Sequence, residues 1–321
     1  MFKFLRKIDV LSPLFFVRDR IMDKYGFFEK KRKLKQKLLF RRLLREDKEQ
    51  KRKIDKLIYQ LPDKLLERDI HDEDIIVSMT SYARRVSDAL PYALYSLLKQ
   101  TIIPKKIVVY LDKENWSDEQ LPAILRKMQN VGVDFRYCED IRSYKKLIPA
   151  LLDFPNNPII TMDDDFYYNI HYFEWMLKAY EQSDKKTVLG QWGCIPEKKN
   201  GKYIPYSQWK DCKMGTKESP ISFFGCCCCY PPHIFDDEIL RKELFMRLCP
   251  TADDIWFWVM EERLHIKRAY IEPWGYGFNT PVNRIEEYDW NQRGTLMYQN
   301  VVEGKNDTQL KMLLDYYNLE D

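Results

Sequence analysis

The stretch Pro158-Ile-Ile-Thr-Met-Asp-Asp-Asp165 ends a short apolar run in three consecutive carboxylates. An apolar run bounded by proline predicts a buried strand, and in an open α/β sheet ligands collect outside the carboxyl ends of the strands. Clustered carboxylates repel one another unless a cation neutralises them, and all-oxygen ligation suits a hard ion such as Mg²⁺ or Mn²⁺. The stretch therefore predicts a metal that holds a phosphorylated substrate, with a solvated acidic turn as the alternative.

Strands and helices alternate in the segment before this stretch. Apolar patterns predict strands at residues 75–77, 107–111 and 133–137. They also predict helices between these strands and a further helix at 146–152. Ser117 and Gln120 have the form of a capping box for one of these helices. The alternation predicts an α/β fold with a mainly parallel sheet flanked by helices. Neither a dinucleotide-binding glycine motif nor a P-loop occurs, so we expect metal and side chains to hold the phosphates.

The composition is that of a globular protein, with 321 residues of which 45% are hydrophobic. No window approaches about 18 uninterrupted apolar residues, so a membrane-spanning helix is not supported. The basic amino terminus is interrupted by charged residues and proline, which argues against a cleaved signal peptide. Four adjacent cysteines at 226–229 face alternate sides of a predicted strand and are interpreted as small buried thiols. These features favour a cytoplasmic protein.

Charge divides the chain into two parts. Residues 1–60 carry 20 basic and 8 acidic side chains, a net charge of +12, and residues 61–321 carry a net charge of −8. Residues 30–60 lack glycine and proline and have helical spacing of their leucines, which predicts a basic amphipathic helix. Such a helix suits an anionic membrane surface; pairing with a second copy of the chain and a plain solvated extension are the alternatives. No base-reading module accompanies it, so no specific nucleic acid is expected.

The order of the motifs resembles that of nucleotide-sugar glycosyltransferases with the A-type fold, most closely the family-two-like inverting enzymes of bacterial surface and capsular polysaccharide synthesis. The resemblance covers residues 74–280. It is carried by the polar turn Ser81-Tyr82-Ala83-Arg84, by Asp112 at a strand end, by a lysine helix that starts at Lys145, by the acidic triplet, and by Ala252-Asp253-Asp254-Ile255-Trp256. Two departures concern Ala83-Arg84, where the family commonly has Asn-Arg, and the Asp-Asp pair, where Glu-Asp is commoner.

The resemblance implies a role for each matching residue. Asp163 and Asp165 would hold Mn²⁺ or Mg²⁺ against the donor diphosphate. Asp254, or its neighbour Asp253, would be the base that takes the proton of the acceptor hydroxyl; a helix cap is the alternative for this pair. The flanking tryptophans are expected in the core. The residues expected to bind the donor are Thr80, Ser81, Tyr82, Arg84, Asp112, Lys146, Asp163 and Asp164.

These inferences predict a domain layout and a function. We expect a basic helical extension at 1–70, a glycosyltransferase domain at 71–280 with a nucleotide-binding half at 71–165 and an acceptor half at 166–280, and a closing segment at 281–321. The expected activity is sugar transfer from a nucleotide-diphosphate donor to a glycan or lipid-linked acceptor, at the inner face of a membrane. A metal-dependent phosphohydrolase or nucleotidyltransferase, and an inactive membrane-associated scaffold, are the alternatives.

Overall fold

The computed structural model of the protein describes residues 27–67, 73–191, 193–211, 227–271, 279–284, 296 and 298–319. Its strands are β1 (Glu73–Thr80), β2 (Pro104–Asp112), β3 (Asp134–Cys138), β4 (Ile159–Met162), β5 (Phe166–Tyr167), β6 (Val188–Gly190), β7 (Cys194–Ile195), β8 (Lys198–Lys199), β9 (Lys202–Tyr203), β10 (Lys210–Asp211), β11 (Cys228–Tyr230), β12 (Arg268–Tyr270) and β13 (Thr280–Pro281).

The α-helices are α1 (Phe27–Tyr59), α2 (Arg85–Asp88), α3 (Leu90–Leu97), α4 (Ala123–Val131), α5 (Ile148–Asp153), α6 (Tyr172–Gln182), α7 (Lys242–Leu248), α8 (Asp253–Arg263) and α9 (Lys305–Tyr317). Short 3₁₀ turns lie at Leu65–Glu67, Arg142–Lys146, Tyr206–Gln208 and Asp237–Leu240, and a π-helical turn lies at Tyr298–Val302.

Seven strands form the central sheet in the order β3-β2-β1-β4-β11-β6-β12. Strands β3, β2, β1 and β4 are parallel to one another, β11 is antiparallel to both β4 and β6, and β12 is parallel to β6. The predicted α/β fold with a mainly parallel sheet flanked by helices is thus confirmed. Because β4 sits in the middle of the sheet, the carboxylates that follow it lie at the centre of the sheet's carboxyl edge.

Both faces of the sheet are covered by apolar side chains. On β1, Val77 and Met79 belong to one buried cluster and Ile76 to the other. Every residue of β2 from Ile107 to Asp112 is buried, which is typical of a parallel strand covered on both faces. The second cluster includes Trp256 and Trp258 of α8, which confirms the expectation that these tryptophans are core residues. It also includes Leu310, Leu313 and Leu314 of α9.

Local details differ from the sequence predictions in two places. Helix α4 begins at Ala123 after Pro122, and the Ser117 hydroxyl donates to Glu119 (2.7 Å), so the predicted capping box is wrong. The helix predicted at 146–152 is a 3₁₀ turn followed by α5, because Pro149 lies in the first turn of a new helix. Cys227 to Cys229 are buried, as expected for small thiols, and Cys228 and Cys229 lie in strand β11; Cys226 lies outside the described residues.

The described residues of the chain fall into two units, which divide between Gln50 and Lys51. Helix α1 confirms the helix predicted at 30–60, and its last residues Ile54 and Ile58 belong to the core of the second unit. Among the described residues, the structure has no helix with the length and apolar character needed to cross a membrane. The domain boundaries inferred from sequence stay predictions.

Candidate active site

The three carboxylates that follow β4, which we call the acidic triplet (Asp163, Asp164 and Asp165), have different surroundings. Asp164 is buried and accepts hydrogen bonds from the Ser81 hydroxyl and from Arg85 Nη1 (3.0 Å). Burial raises the pKa of Asp164 above its ordinary value, although Arg85 and Ser81 lower it. Asp165 lies 2.9 Å from Arg85 Nη2. One guanidinium therefore joins two members of the triplet.

The turn after β1 explains why Arg85 makes these contacts and Arg84 does not. Ala83 lies in the left-handed region with φ +46°, and the chain enters α2 directly afterwards. The Arg85 side chain stacks over the Tyr82 ring, 5.6 Å from its centroid. The Arg84 side chain is 81% exposed and lies 4.0 Å from the carboxylate of Asp88. The sequence analysis named Arg84 as the functional arginine of this turn, whereas Arg85 is the one that contacts the triplet in the structure.

The third member of the triplet, Asp163, is fixed through its backbone. Its N–H donates to Tyr168 Oη (2.9 Å), and the same hydroxyl donates to the Asp163 carbonyl (2.8 Å). Its carboxylate lies 3.8 Å from Lys146 Nζ. Lys146 is the last residue of the 3₁₀ turn Arg142–Lys146, which brings its ammonium group to the carboxyl edge of the sheet.

Lys146 also contacts the two acids at the start of α8, which we call the acid pair (Asp253 and Asp254). Its ammonium lies 3.0 Å from Asp253 Oδ2 and 3.1 Å from Asp254 Oδ1. Burial by itself lowers the pKa of Lys146, but Asp253, Asp254 and Asp163 together raise it well above the usual lysine value. Lys146 is therefore a protonated bridge between acids that are about 90 residues apart in the sequence.

Within the acid pair, the two carboxylates differ in exposure. The Asp253 side chain is 8% exposed and that of Asp254 is 23% exposed. Ala252 occupies the N-cap position of α8, and both acids lie in its first turn. The alternative that Asp253 caps the helix is therefore wrong. A helix amino terminus stabilises carboxylates, and Asp254 is the member that solvent or a substrate reaches more readily.

The remaining predicted donor-binding residues lie at neighbouring strand ends. Thr80 donates to the Tyr110 carbonyl (2.8 Å), and Asp112 accepts from the backbone and side-chain nitrogens of Asn115 (3.0 and 2.6 Å). Tyr82 is 49% exposed. Lys145, the neighbour of the bridging lysine, bonds instead to Asp140. The structure thus gathers Ser81, Lys146, the acidic triplet and the acid pair. Thr80 is bonded to strand β2, and Asp112 is bonded to the loop that follows β2.

A metal ion fits this donor set only with help from a substrate. Among the described residues, no group of three or more acidic, histidine or cysteine side chains is arranged to hold a metal by itself. The triplet and the acid pair supply five carboxylates, and Lys146 and Arg85 supply two positive charges, which leaves a formal excess of negative charge. Mg²⁺ is commonly bound by one or two carboxylates together with substrate phosphates. Asp163 and Asp165 supply carboxylates of this kind at the carboxyl edge of the sheet.

Sequence reasoning also missed a buried acid on α8. Glu261 is 2% exposed, and burial raises its pKa to about 7, although the nearby Arg268 guanidinium (3.4 Å) lowers it. Asp254 and Glu262 add to the increase of this pKa. Glu261 lies two helical turns after the acid pair, and no sequence motif surrounds it. Only its buried position in the folded structure identifies it as a candidate functional residue.

Comparison with known proteins gives matches of fold alone. No protein-family model matches the chain, and no curated protein matches its sequence. The structure of S. aureus TarS 1–349 in complex with UDP is 17% identical, covers 64% of this chain and 59% of that chain, and has a TM-score of 0.41. Its complex with UDP-GlcNAc is 16% identical, with coverages of 64% and 57% and a TM-score of 0.41. CMP:2-keto-3-deoxy-manno-octonic acid synthetase complexed with CTP is 11% identical, with coverages of 71% and 100% and a TM-score of 0.42. This chain therefore spans less than two thirds of the TarS chain in each of these two complexes.

Proposed function

We propose that the protein is a metal-dependent, inverting glycosyltransferase that moves a sugar from a nucleotide-diphosphate donor to a glycan or lipid-linked acceptor, in surface polysaccharide synthesis. The observation that carries the proposal is the Lys146 bridge, which joins strand-end acids suited to a cation and diphosphate to a second pair of acids suited to proton transfer. If the acidic triplet were only a solvated turn, it would not need to lie close to the acid pair.

The transfer step assigns a task to each part of the site. The acceptor hydroxyl oxygen attacks the anomeric carbon while the bond from that carbon to the diphosphate oxygen breaks, and its electron pair leaves with the diphosphate. The hydroxyl proton passes to Asp254, which is the more exposed member of the acid pair. Arg85 and Lys146, which lie beside Asp165 and Asp163, would supply positive charge that offsets the negative charge gained by the diphosphate.

Asp163 and Asp165 are the residues that would hold Mn²⁺ or Mg²⁺, which supplies Lewis-acid stabilisation of the leaving diphosphate when bound. Ser81 and Arg85 fix the middle carboxylate, Asp164, inside the fold. Asp164 therefore acts in this proposal as a support that orients the two outer acids.

The basic part of helix α1 is proposed to place the enzyme at an anionic membrane surface. Residues 30–45 carry nine basic side chains and no acidic one. Anionic lipid attracts such a segment with about 1 kcal/mol for each Lys or Arg near the surface. A lipid-linked acceptor at the inner face of the membrane would then be presented to the site.

A donor panel tests the proposed activity. Thermal unfolding is followed with UDP-, GDP-, CMP- and dTDP-linked sugars, with and without Mn²⁺, and turnover of any stabilising donor is followed with water as the acceptor. We expect a shift that needs both metal and one nucleotide, because a ligand selective for the folded state raises its apparent stability. Asp165→Ala should lose this shift. Asp254→Asn should keep it and lose about 10²-fold or more in turnover.

Asp237→Asn is the matched control, because Asp237 is an exposed acid in the first turn of another helical segment. It should behave as the wild type in both measurements. Full turnover by Asp254→Asn would remove that residue as the base. Release of pyrophosphate when a nucleoside triphosphate and a sugar 1-phosphate are supplied in place of the nucleotide-sugar would favour the nucleotidyltransferase alternative, and a folded protein that no donor stabilises would favour the scaffold.

A further inference from the structure

The loop that leads into the acid pair, residues 249–252, is held from two sides. We call it the acid-pair loop. Three successive carbonyl oxygens in it each accept a side-chain hydrogen bond: Cys249 from Tyr144, Pro250 from Arg142 (2.9 Å) and Thr251 from Asn300 (2.7 Å). The loop is short and leads directly to Asp253, so these bonds fix where α8 begins. Such complete bonding of a loop's carbonyl groups limits its motion.

Thr251 uses all of its hydrogen-bonding groups on the carboxyl-terminal segment. Its N–H donates to Gln309 Oε1 (2.8 Å), and its hydroxyl lies within hydrogen-bond distance of Asn300 Oδ1 (2.7 Å) and Gln309 Oε1 (3.1 Å). Thr251 and Gln309 are both buried. Two side chains from a segment about 50 residues further along therefore enclose one residue of the loop.

The segment that makes these contacts is itself anchored. Gln309 Nε2 donates to the Lys305 carbonyl (3.1 Å), which fixes the side chain on α9. Leu310, Leu313 and Leu314 of the same helix lie in the buried cluster that contains Trp256 of α8. Gln309 is thus presented from a packed helix, and such elements position side chains more accurately than loops do.

The opposite side of the acid-pair loop is held by the turn that carries the bridging lysine. Tyr144 and Arg142 belong to the 3₁₀ turn that ends at Lys146. Tyr144 stacks on Phe245, with ring centroids 4.1 Å apart, and is fully buried. The distance between the acid pair and the acidic triplet is therefore set by two clamps, one from this turn and one from the carboxyl-terminal segment.

We infer that Asn300 and Gln309 are positioning residues that hold Asp254 in place for proton transfer. The inference rests on the proposed function, and it gives the carboxyl-terminal segment a part in the reaction without contact to the substrate. A displacement of about 1 Å in a reacting group costs up to about 10²-fold in rate. Loss of either side chain releases Thr251, and Asp254 follows it after two residues.

The test separates positioning from folding with matched variants. Thr251→Val keeps the shape of the side chain and removes its hydroxyl, Thr251→Ser keeps the hydroxyl, and Gln309→Met removes the acceptor of the Thr251 N–H. Lys311→Ala is the control, because Lys311 is an exposed residue on the same helix. The readouts are kcat and KM for the donor found in the panel, with water as acceptor, and the thermal shift that this donor and Mn²⁺ produce.

We expect Thr251→Val and Gln309→Met to lose about tenfold or more in kcat, with the donor KM and the donor-induced shift unchanged. Thr251→Ser and Lys311→Ala should match the wild type. A purely structural role would lower the melting temperature of Thr251→Val and Gln309→Met and leave kcat of the folded enzyme unchanged, and this result overturns the inference. A wild-type protein that binds no donor overturns the proposed function and the inference together, and it is recognised before any variant is made.

Discussion

Arg85 shows how one side chain can hold a cluster of acids together. Its two terminal nitrogens reach Asp164 and Asp165 at 3.0 and 2.9 Å, and its plane lies over Tyr82. The planar guanidinium suits this double contact, whereas a lysine ammonium is a single point charge. Asp164 is almost wholly buried and depends on this charge and on the Ser81 hydroxyl.

Substitution of the two consecutive arginines tests this role. We expect Arg85→Gln to lower the free energy of unfolding by about 2 kcal/mol, because it leaves a buried carboxylate without its cation, and to weaken the donor-induced thermal shift. Arg84→Gln, at a side chain that is mainly exposed, should change stability by less than about 0.5 kcal/mol. Urea unfolding and the donor panel provide the two measurements. A larger loss in Arg84→Gln than in Arg85→Gln would return the role to the residue predicted from sequence.

The residues of the site were predictable to different degrees. The acidic triplet is visible as consecutive carboxylates after an apolar run, and the acid pair as consecutive carboxylates before one. The sequence does not reveal which of two adjacent arginines faces the triplet, since this depends on the left-handed conformation of Ala83. Nor does it reveal the Asn300 and Gln309 contacts, because a pairing over about 50 residues leaves no local pattern.

At the level of single elements, the end of α4 is fixed by a glycine. Gly132 has φ +115°, and its N–H donates to the carbonyl groups of the last turn. A Cβ added there would lie 2.9 Å from Leu66 Cβ. The position therefore requires glycine for two reasons, which are its backbone conformation and the close approach of the 3₁₀ turn Leu65–Glu67.

A comparison with Gly201 separates the effect of backbone conformation from the effect of the contact with Leu66. Gly201 also has positive φ, +82°, but a Cβ added there meets no atom within 4 Å. We expect Gly201→Ala to lose about 1 kcal/mol from backbone strain alone, and Gly132→Ala to lose about 2 kcal/mol or more because strain and the Leu66 contact both act. Urea unfolding of both variants measures the difference. Equal losses would mean that the contact with Leu66 relaxes without cost.

The elements themselves were largely predictable from periodicity. Strands β1 to β4 and helices α1, α3 and α4 follow the apolar patterns that predicted them. The errors occur where proline sets a boundary: Pro122 delays α4 beyond Ser117, and Pro149 starts α5 after a separate turn. The antiparallel placement of β11 between β4 and β6 was not predicted, because strand order depends on pairing over long distances.

At the level of the whole molecule, the charge of the two parts makes membrane attachment testable. Residues 61–321 carry a net charge of −8, so attraction to anionic lipid must come from the basic extension. Helix α1 continues into the core through Ile54 and Ile58, so a deletion through residue 60 would damage the fold. Charge neutralisation within residues 31–37 tests the attraction to lipid without damage to the fold, since these side chains are exposed.

We expect replacement of Lys31, Arg32, Lys33, Lys35 and Lys37 by glutamine to reduce binding to phosphatidylserine vesicles by about 10²-fold or more, since each charge contributes about 1 kcal/mol. Binding of the wild type should fall at high salt and be weak on neutral phosphatidylcholine vesicles. The control replaces five exposed lysines of the body: Lys185, Lys186, Lys199, Lys202 and Lys311. Unchanged co-sedimentation of the first variant would contradict the proposal, and a change in its oligomeric state would favour helix pairing.

The strand order also determines when the site comes into existence during synthesis. Strands β1 to β4 pair among themselves, so the half of the sheet that presents the acidic triplet is complete once residue 165 has emerged from the ribosome. Strand β6 has to wait for its neighbours β11 and β12, which follow about 40 and 80 residues later. The acid pair is translated between β11 and β12. Asn300 and Gln309, which hold Thr251, are translated after both strands. A nascent chain thus carries an open edge on β4 until β11 emerges about 65 residues later, while Arg85 and Lys146, which precede the triplet in the sequence, already neutralise part of its charge.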